Sequence, residues 1–381
     1  MVHIPPPDDE PVSDSRRLSA RWAIALFALV VGLLALQTRP VVPGFDWTAI
    51  DPPQGPLNID SIVTLDEGVA LLSGVASPGV QLWWRDTSGW ESQLLEYSPT
   101  QLSRAGNDLI AYRARSGTLL TMENGRWVPM LDVEFPAATR SRQASGRASV
   151  LGAADGLLEL SLFGDVWWID SNGEPTLVVE EPSWGHGFEQ PFTPSCRPPS
   201  RSSPDVPPIV ATDDLIIAMT SSNPDEPFGT WPVCEPVSWT STDGMKWSMA
   251  TTNLSGDGIY VYDLAWRDGT LLAVGGRGIG RPAVWASGDG LEWVEVTPDM
   301  PEAVDLFQVE AGAAGWVMLG RVSLEPMPVG WTSTDATCWE PLPNPIGGSE
   351  AAVTDNDILI IDRTAPNMWL GSPTGSRGAC R

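Results

Sequence analysis

The side chains that carry most enzyme chemistry are scarce in this chain of 381 residues. It has two histidines, His3 and His186, and a single lysine, Lys246. A zinc site with two or three imidazole ligands is therefore excluded, and a Ser-His-Asp or Cys-His nucleophile would have to use His186. Carboxyl groups are the one catalytic resource in quantity, with 48 Asp and Glu residues. Two of them could hydrolyse a glycoside, and the candidates are Glu189, Asp225, Glu226 and Glu235.

Acidic residues dominate the charge of the chain and limit its partners. The net charge is −26, and all of it lies on residues 41–381, because four acidic residues and four arginines cancel within residues 1–40. Such a surface repels nucleic acid and anionic headgroups, whereas cations or basic protein surfaces fit it better. A solubility or salt adaptation explains the charge equally well. No calcium-binding loop of EF-hand spacing occurs. The glycines of residues 276–280 imitate a dinucleotide-binding loop, but no helix follows them. We therefore predict no metal, no cofactor and no catalytic residue.

An unbroken apolar run at residues 22–36, preceded by three arginines, predicts a membrane segment. Counted over residues 20–38, a helix would span about 28 Å of the ~30 Å hydrocarbon core. The positive-inside rule then predicts four parts, which are a disordered cytoplasmic tail (1–19), a signal-anchor helix (20–38), a linker (39–44) and an extracytoplasmic domain (45–381). Secretion after signal cleavage is the alternative, although no good small-x-small cleavage site follows the run.

One turn motif, W-x-S-x-D-(G)-x-x-W, recurs three times at intervals of 46 residues. Its Asp can accept hydrogen bonds from backbone N–H groups two residues on, its Gly permits positive φ, and its Trp can cover the hairpin. A period in the forties with recurrent Trp, Asp and Gly is typical of β-propeller blades. We interpret the motif residues as structural turn residues, namely Ser241, Asp243, Trp247, Ser287, Asp289, Trp293, Ser333, Asp335 and Trp339.

A second series, of short apolar runs that each follow an Asp or Gly turn, occurs seven times and alternates with strict or looser copies of the Trp turn. The two series together predict an all-β, seven-bladed β-propeller preceded by one transmembrane helix. In each blade the apolar run is strand b, strand c enters at the first Trp of the motif, and strand d opens at the second. Residues 45–50 resemble strand d, so we expect them to complete the last blade and close the ring.

The turn motif resembles the Asp-box, or bacterial neuraminidase, repeats of sialidases, and the resemblance covers residues 45–381 at the level of architecture. It implies a β-propeller. The catalytic residues of sialidases do not carry over, since no Arg-Ile-Pro motif occurs and the four tyrosines, Tyr97, Tyr112, Tyr260 and Tyr262, do not match the catalytic one. The resemblance therefore implies the fold and not sialidase activity.

Two long insertions, residues 181–207 and 221–235, are predicted on the face opposite the Ser-x-Asp turns. We call them the lid insertions. Long loops in compact domains are usually either functional or disordered. Their aromatic and charged side chains suit recognition of a protein or glycan, although packing onto the ring would explain them as well. The binding candidates are Trp184, His186, Phe188, Arg197, Arg201 and Trp231.

Four cysteines allow three disulfide pairings in an exported protein. We favour Cys196 with Cys234 and Cys338 with Cys380, because each pair comes from neighbouring blades. The sequence as a whole predicts a monomeric, membrane-tethered, extracytoplasmic module that binds an envelope protein or glycan. A carboxylate glycoside hydrolase is the alternative, and a purely structural envelope protein is a third hypothesis.

Overall fold

The chain divides into two compact units, Met1–Val41 and Val42–Arg381. The computed structural model describes part of the second unit, namely residues 42–53, 59–65, 68–75, 79–86, 89–95, 101–105, 108–113, 118–123, 126–132, 149–153, 156–160, 166–170, 172, 174–179, 208–212, 214–222, 235–254, 259–277, 281–322, 327–362 and 367–378. Within these residues no helix is long and apolar enough to cross a membrane. The predicted span at residues 20–38 lies outside them.

The described residues form 28 β-strands in seven antiparallel four-stranded sheets. Sheet 1 contains β2 (Ile59–Leu65), β3 (Gly68–Val75), β4 (Gly79–Asp86) and β5 (Gly89–Leu95), and sheet 2 contains β6 (Gln101–Ala105), β7 (Asp108–Arg113), β8 (Thr118–Glu123) and β9 (Arg126–Asp132). Sheet 3 contains β10 (Ser149–Ala153), β11 (Gly156–Leu160), β12 (Val166–Asp170) and β13 (Pro175–Val179), and sheet 4 contains β14 (Ile209–Ala211), β15 (Ile216–Ser222), β16 (Glu235–Ser241) and β17 (Ser248–Thr251).

The remaining three sheets follow the same meander, and the last one includes the first strand of the described chain. Sheet 5 contains β18 (Ile259–Arg267), β19 (Thr270–Arg277), β20 (Pro282–Ser287) and β21 (Trp293–Glu295), and sheet 6 contains β22 (Val304–Gly312), β23 (Gly315–Val322), β24 (Pro328–Ser333) and β25 (Glu340–Pro341). Sheet 7 has the order β26 (Glu350–Val353), β27 (Ile358–Asp362), β28 (Asn367–Gly378) and β1 (Val42–Ile50).

The second strand of each sheet is the predicted apolar run, and its continuous hydrophobicity has a structural reason. Leu271 and Ala273 of β19 pack against sheet 4, while Leu272 and Val274 pack against sheet 6. All four side chains have no exposed surface. A strand with a neighbouring sheet on each face must be apolar at every position rather than at alternate ones.

The first strands of the sheets form a closed cycle of contacts. Each contacts the first strand of the next sheet, from β2 through β6, β10, β14, β18 and β22 to β26, and β26 contacts β2. The core lies between the sheets, and the junction of sheets 7 and 1 is filled like the others, with Leu359 and Ile361 against Ile59 and Leu71.

Strand β1 confirms the expectation that residues 45–50 complete the last sheet. It pairs with β28 from Val42 to Ile50, so the start of the described chain forms the outermost strand beside its end. Trp47 lies opposite Gly371 in this pairing, and a Cβ at Gly371 would come within 2.7 Å of the Trp47 ring. The glycine therefore makes room for the indole that covers the strand.

The prediction that strand c enters at the first Trp of the motif is wrong. Trp239, Trp285 and Trp331 each stand two residues before the end of β16, β20 and β24. The long second strand pairs with residues that precede the Trp, so the third strand begins before it. In sheet 4, for example, Ser222 of β15 pairs with Glu235 of β16, four residues before Trp239. Backbone pairing, and not the aromatic residue, determines where the strand begins.

Candidate functional site

The three Ser-x-Asp turns share one hydrogen-bonding pattern. In sheet 5, the Ser287 hydroxyl accepts hydrogen bonds from the N–H groups of Asp289 (3.2 Å) and Gly290 (2.9 Å). The Asp289 carboxylate accepts from the N–H groups of Leu291 (2.8 Å) and Glu292 (2.9 Å). The Trp293 indole N–H donates to the Gly290 carbonyl at 3.0 Å. The Ser287 hydroxyl, the Asp289 carboxylate and the Trp293 indole N–H thus serve the turn itself.

The other two strict copies repeat these contacts. Asp243 accepts from the N–H groups two and three residues on at 2.9 and 2.8 Å, and Asp335 does so at 2.8 and 2.9 Å. The backbone N–H donors to Asp243 and Asp289 lower the pKa of both carboxyl groups. Burial opposes the same effect at Asp335, but its hydrogen bonds still lower the pKa. Carboxyl groups of this kind stay ionised and are unsuited to act as general acids.

The residue after each turn Asp has positive φ and packs against the preceding sheet. Gly244 and Gly290 have φ of 72° and 77°. A Cβ at Gly244 would lie 2.7 Å from the Trp168 ring in sheet 3, and one at Gly290 would lie 2.9 Å from Ile217 in sheet 4. In sheet 6 this position is Ala336, with φ of 61° and its side chain buried in the core between sheets 5 and 6. The turns therefore also fix the spacing between sheets.

A second polar arrangement connects the first strands of neighbouring sheets. Strands β2, β18 and β22 each have a bulge, and the residue after it is Ser61, Asp263 or Gln308. Each of these side chains accepts a hydrogen bond from a backbone N–H of the next first strand, at 2.9 to 3.1 Å; the donors are Leu102, Val309 and Ala351. The first strand is the inner edge of its sheet, so these bonds satisfy backbone N–H groups that have no paired strand on that side.

Partly buried carboxyl groups concentrate where sheets 5, 6 and 7 meet. Burial, together with repulsion by the Glu350 carboxyl, raises the pKa of Asp263 to about 7. Hydrogen bonds from the N–H groups of Val309 and Leu264 lower it and oppose this shift. Burial raises the pKa of Glu310 to about 8, and the carboxyl groups of Asp263 and Glu350 raise it further. Gln308 donates to Glu310 at 3.1 Å and to the Ala351 carbonyl at 3.1 Å. Four polar side chains lie at this junction, and we call them the inner-strand network: Asp263, Gln308, Glu310 and Glu350.

A cavity of about 290 Å³ adjoins this network. Glu310 and Asp355 contribute its two carboxyl groups, and Thr64 contributes a hydroxyl. The remaining lining is apolar or backbone and comes from the ends of β2, β22 and β26. Because Gly312 is the last residue of β22 and Asp355 lies in the turn after β26, the cavity lies toward the face of the Ser-x-Asp turns. Among the described residues, no group of three or more His, Cys, Asp and Glu side chains is arranged to hold a metal ion.

The binding candidates of the lid insertions lie outside the described residues, as do the carboxyl candidates Glu189, Asp225 and Glu226. The strand ends that flank the insertions are described. One insertion connects Val179 of sheet 3 to Ile209 of sheet 4, and the other connects Ser222 to Glu235 within sheet 4. In a meander, these two kinds of connection leave from the same face, opposite the Ser-x-Asp turns.

The cysteine predictions are only partly within reach of the described residues. Cys338 is disulfide-bonded and follows the turn Asp335 in sheet 6. Cys196, Cys234 and Cys380 lie outside the described residues, so both predicted pairings stay predictions.

Sequence reasoning missed the inner-strand network. Its residues belong to segments that were not among the apolar runs or the Trp turns. The available signal was a carboxyl or amide side chain within the otherwise apolar first strands, as in Tyr262-Asp263-Leu264 and Phe307-Gln308-Val309. Such a residue in a buried strand needs a partner and is therefore informative.

Comparison with solved structures finds β-propellers at low sequence identity. The propeller domain of Cps50 (Swd1) from Myceliophteria thermophila is 12% identical with a TM-score of 0.52, over 87% of this chain and 100% of that one. The propeller domain of the trilobed protease from Pyrococcus furiosus is 12% identical with a TM-score of 0.50, over 85% and 97%. The acylaminoacyl peptidase of Pyrococcus horikoshii is 11% identical with a TM-score of 0.52, over 85% of this chain and 52% of the peptidase.

The chain thus spans about half the length of that peptidase. No family model matches the sequence, and no curated protein matches it either. The resemblance to Asp-box repeats therefore rests on the turn motif alone. What the structural similarity and the sheet topology show together is that the described residues between 42 and 378 have an all-β, β-propeller fold.

Proposed function

We propose that the chain is a seven-bladed β-propeller, tethered through residues 20–38 to the extracytoplasmic side of a cell membrane, that binds an envelope protein or glycan without catalysing a reaction. The observation that carries this proposal is the common origin of the two lid insertions. Both leave from the face opposite the Ser-x-Asp turns, and both belong to the region of sheets 3 and 4. Long aromatic segments that start from one rigid edge are suited to form a recognition surface.

The use of polar side chains in the described sheets supports binding over catalysis. The turn carboxylates Asp243, Asp289 and Asp335 each accept two backbone hydrogen bonds. The polar residues of the first strands join neighbouring sheets. These groups stabilise the ring, so a ligand would have to be recognised by other residues, and the lid insertions supply them.

Site-specific crosslinking tests the binding proposal. A photoreactive amino acid would replace Trp184 or Trp231 in the full-length protein in its native membrane, and Met245 would serve as the control position. Met245 is 39% exposed and lies on the Ser-x-Asp face. We expect the same adduct from positions 184 and 231 and none from position 245. Adducts from all three positions, or from position 245 alone, would contradict a binding surface on the lid insertions.

Retention by the membrane tests the tether separately. After alkaline carbonate washing of membranes, the full-length chain is expected in the pellet, and a variant that lacks residues 1–40 in the wash. External protease should digest residues 41–381 in intact cells if this part is extracytoplasmic. Release of the full-length chain into the wash would contradict the tether, whereas a chain that has lost its N-terminal segment and is found outside the cells would favour secretion after cleavage.

A carboxylate glycoside hydrolase remains the second candidate, and one observation favours it. Glu310 and Asp355 line the same cavity. Because the pKa of Glu310 is raised to about 8, the group would be protonated at neutral pH, as a general acid requires. A panel of chromogenic glycosides would detect this activity, and Glu310→Gln should abolish it. Wild-type protein that leaves every glycoside intact would support the non-catalytic proposal.

A further inference from the structure

The junction of sheets 5, 6 and 7 depends on groups that change charge. Asp263 on β18 accepts from the N–H of Val309 on β22 at 2.9 Å, and Gln308 on β22 accepts from the N–H of Ala351 on β26 at 3.0 Å. Glu310 is bonded to Gln308 and faces the carboxyl groups of Asp263 and Glu350. Three carboxyl groups, one from each of three successive first strands, therefore lie at one partly buried junction.

We propose that Asp263 and Glu310, which lie beside Glu350, make this junction a pH-dependent closure of the ring, which is tight when these two carboxyl groups are protonated and loosens as they ionise. The neutral acids are compatible with burial and can donate as well as accept hydrogen bonds. Carboxylates at the same partly buried junction repel one another and lose part of their hydration. Opening of the junction relieves both effects because it exposes the groups to water.

The other charged groups near the junction do not neutralise this effect. Asp355 lines the adjoining cavity and adds a further carboxyl group. Asp305 of β22 acts on Tyr260 of β18, whose pKa burial raises above its usual range. The interactions that raise the pKa values of Asp263 and Glu310 come from burial and from other carboxyl groups.

The direction of the pH effect follows from proton linkage. Both pKa values are raised in the closed junction, to about 7 for Asp263 and about 8 for Glu310, and return toward about 4 once the groups are exposed. The open form therefore binds fewer protons between about pH 4 and pH 8. Stability of the junction is fully present below pH 4 and is lost as the pH rises toward 8. Each group contributes up to about a tenfold increase in the opening constant per pH unit in this window.

Hydrogen–deuterium exchange of the full-length protein in detergent micelles tests the proposal. The amides of Val309 and Ala351 report on the junction, and strand β19 within sheet 5 is the internal reference. After correction for base catalysis of exchange, we expect the opening constant at the junction to rise by about tenfold or more per pH unit from pH 5 to pH 7, relative to β19. Equal pH dependence of the junction and of β19 would overturn the proposal.

Amide variants keep the shape of the network and remove its titration. Asp263→Asn with Glu310→Gln should make junction exchange nearly independent of pH, whereas Glu292→Gln, an exposed change on the Ser-x-Asp face, should leave the wild-type slope. If the double variant does not fold, Glu310→Gln alone should reduce the slope. A slope that is unchanged in the folded amide variants would refute a role for these carboxyl groups, whatever the lid insertions bind.

Discussion

The contact between Trp47 and Gly371 makes ring closure by β1 measurable. A Cβ at Gly371 would lie 2.7 to 2.8 Å from three atoms of the Trp47 ring. Because the ring is rigid, it can relieve this contact only by moving as a whole. Overpacking of this kind costs about 1–3 kcal/mol of unfolding free energy. Without the indole, the same substitution should stabilise the protein by about 0.5–1 kcal/mol, because Ala is favoured over Gly within a strand. The expected effect of Gly371→Ala therefore changes sign with residue 47.

A double-mutant cycle in guanidinium chloride, followed by circular dichroism of the full-length protein in micelles, measures this effect. Trp47→Ala alone should cost about 2 kcal/mol, roughly half the value for a fully buried indole. Gly371→Ala should cost about 1–3 kcal/mol in the wild type and should stabilise the Trp47→Ala background by about 0.5–1 kcal/mol. Gly288→Ala is the matched control, since Gly288 is exposed and the nearest atom to its added Cβ is 4.0 Å away. Equal costs of Gly371→Ala in both backgrounds would refute the pairing of β1 with β28 as the closing contact.

Three further predictions concern the turn of sheet 5. Asp289→Ala removes the acceptor of two backbone N–H groups and should lower the unfolding free energy by about 1–2 kcal/mol, whereas Glu292→Ala, exposed in the same turn, should stay within about 0.5 kcal/mol in denaturant titrations. Gly290→Ala places a side chain at φ of 77° and against Ile217, so it should cost about 1–2 kcal/mol in the same assay. Because hydrogen bonding lowers the pKa of Asp289, the contribution of its carboxylate to stability is present above about pH 4 and is lost at lower pH. Asp289→Asn should therefore weaken the fall of the melting temperature below pH 4. A fall equal to that of the wild type would contradict this.

Much of the fold could be predicted from short stretches of sequence, because the forces that specify them are local. The bonds of the Ser-x-Asp turn join residues only two or three apart, so one copy of the motif contains its own hydrogen-bond partners. The apolar runs identify the second strands because neighbouring sheets cover both faces, and burial then permits no polar alternation. The strand-like pattern of residues 45–50 also sufficed to predict its pairing in the last sheet.

The candidate site was less accessible to sequence reasoning, because its contacts join distant residues. The bond from Val309 to Asp263 spans 46 positions, and the bond from Val353 to Thr64 spans 289. No local pattern indicates that an Asp after a bulge will accept a hydrogen bond from another sheet. The start of strand c was also misjudged, since pairing with the preceding strand determined it.

The sequence by itself determined what short-range physics controls, which is the all-β character, the structure of the turns and the order of the strands. Only the tertiary structure decided which polar side chains would share a buried space. Asp263 and Glu310 each occur in an ordinary strand segment, and their pKa values rise because the fold partly buries them close to each other and to Glu350. Desolvation and repulsion between carboxyl groups depend on distance in space and not on distance along the chain.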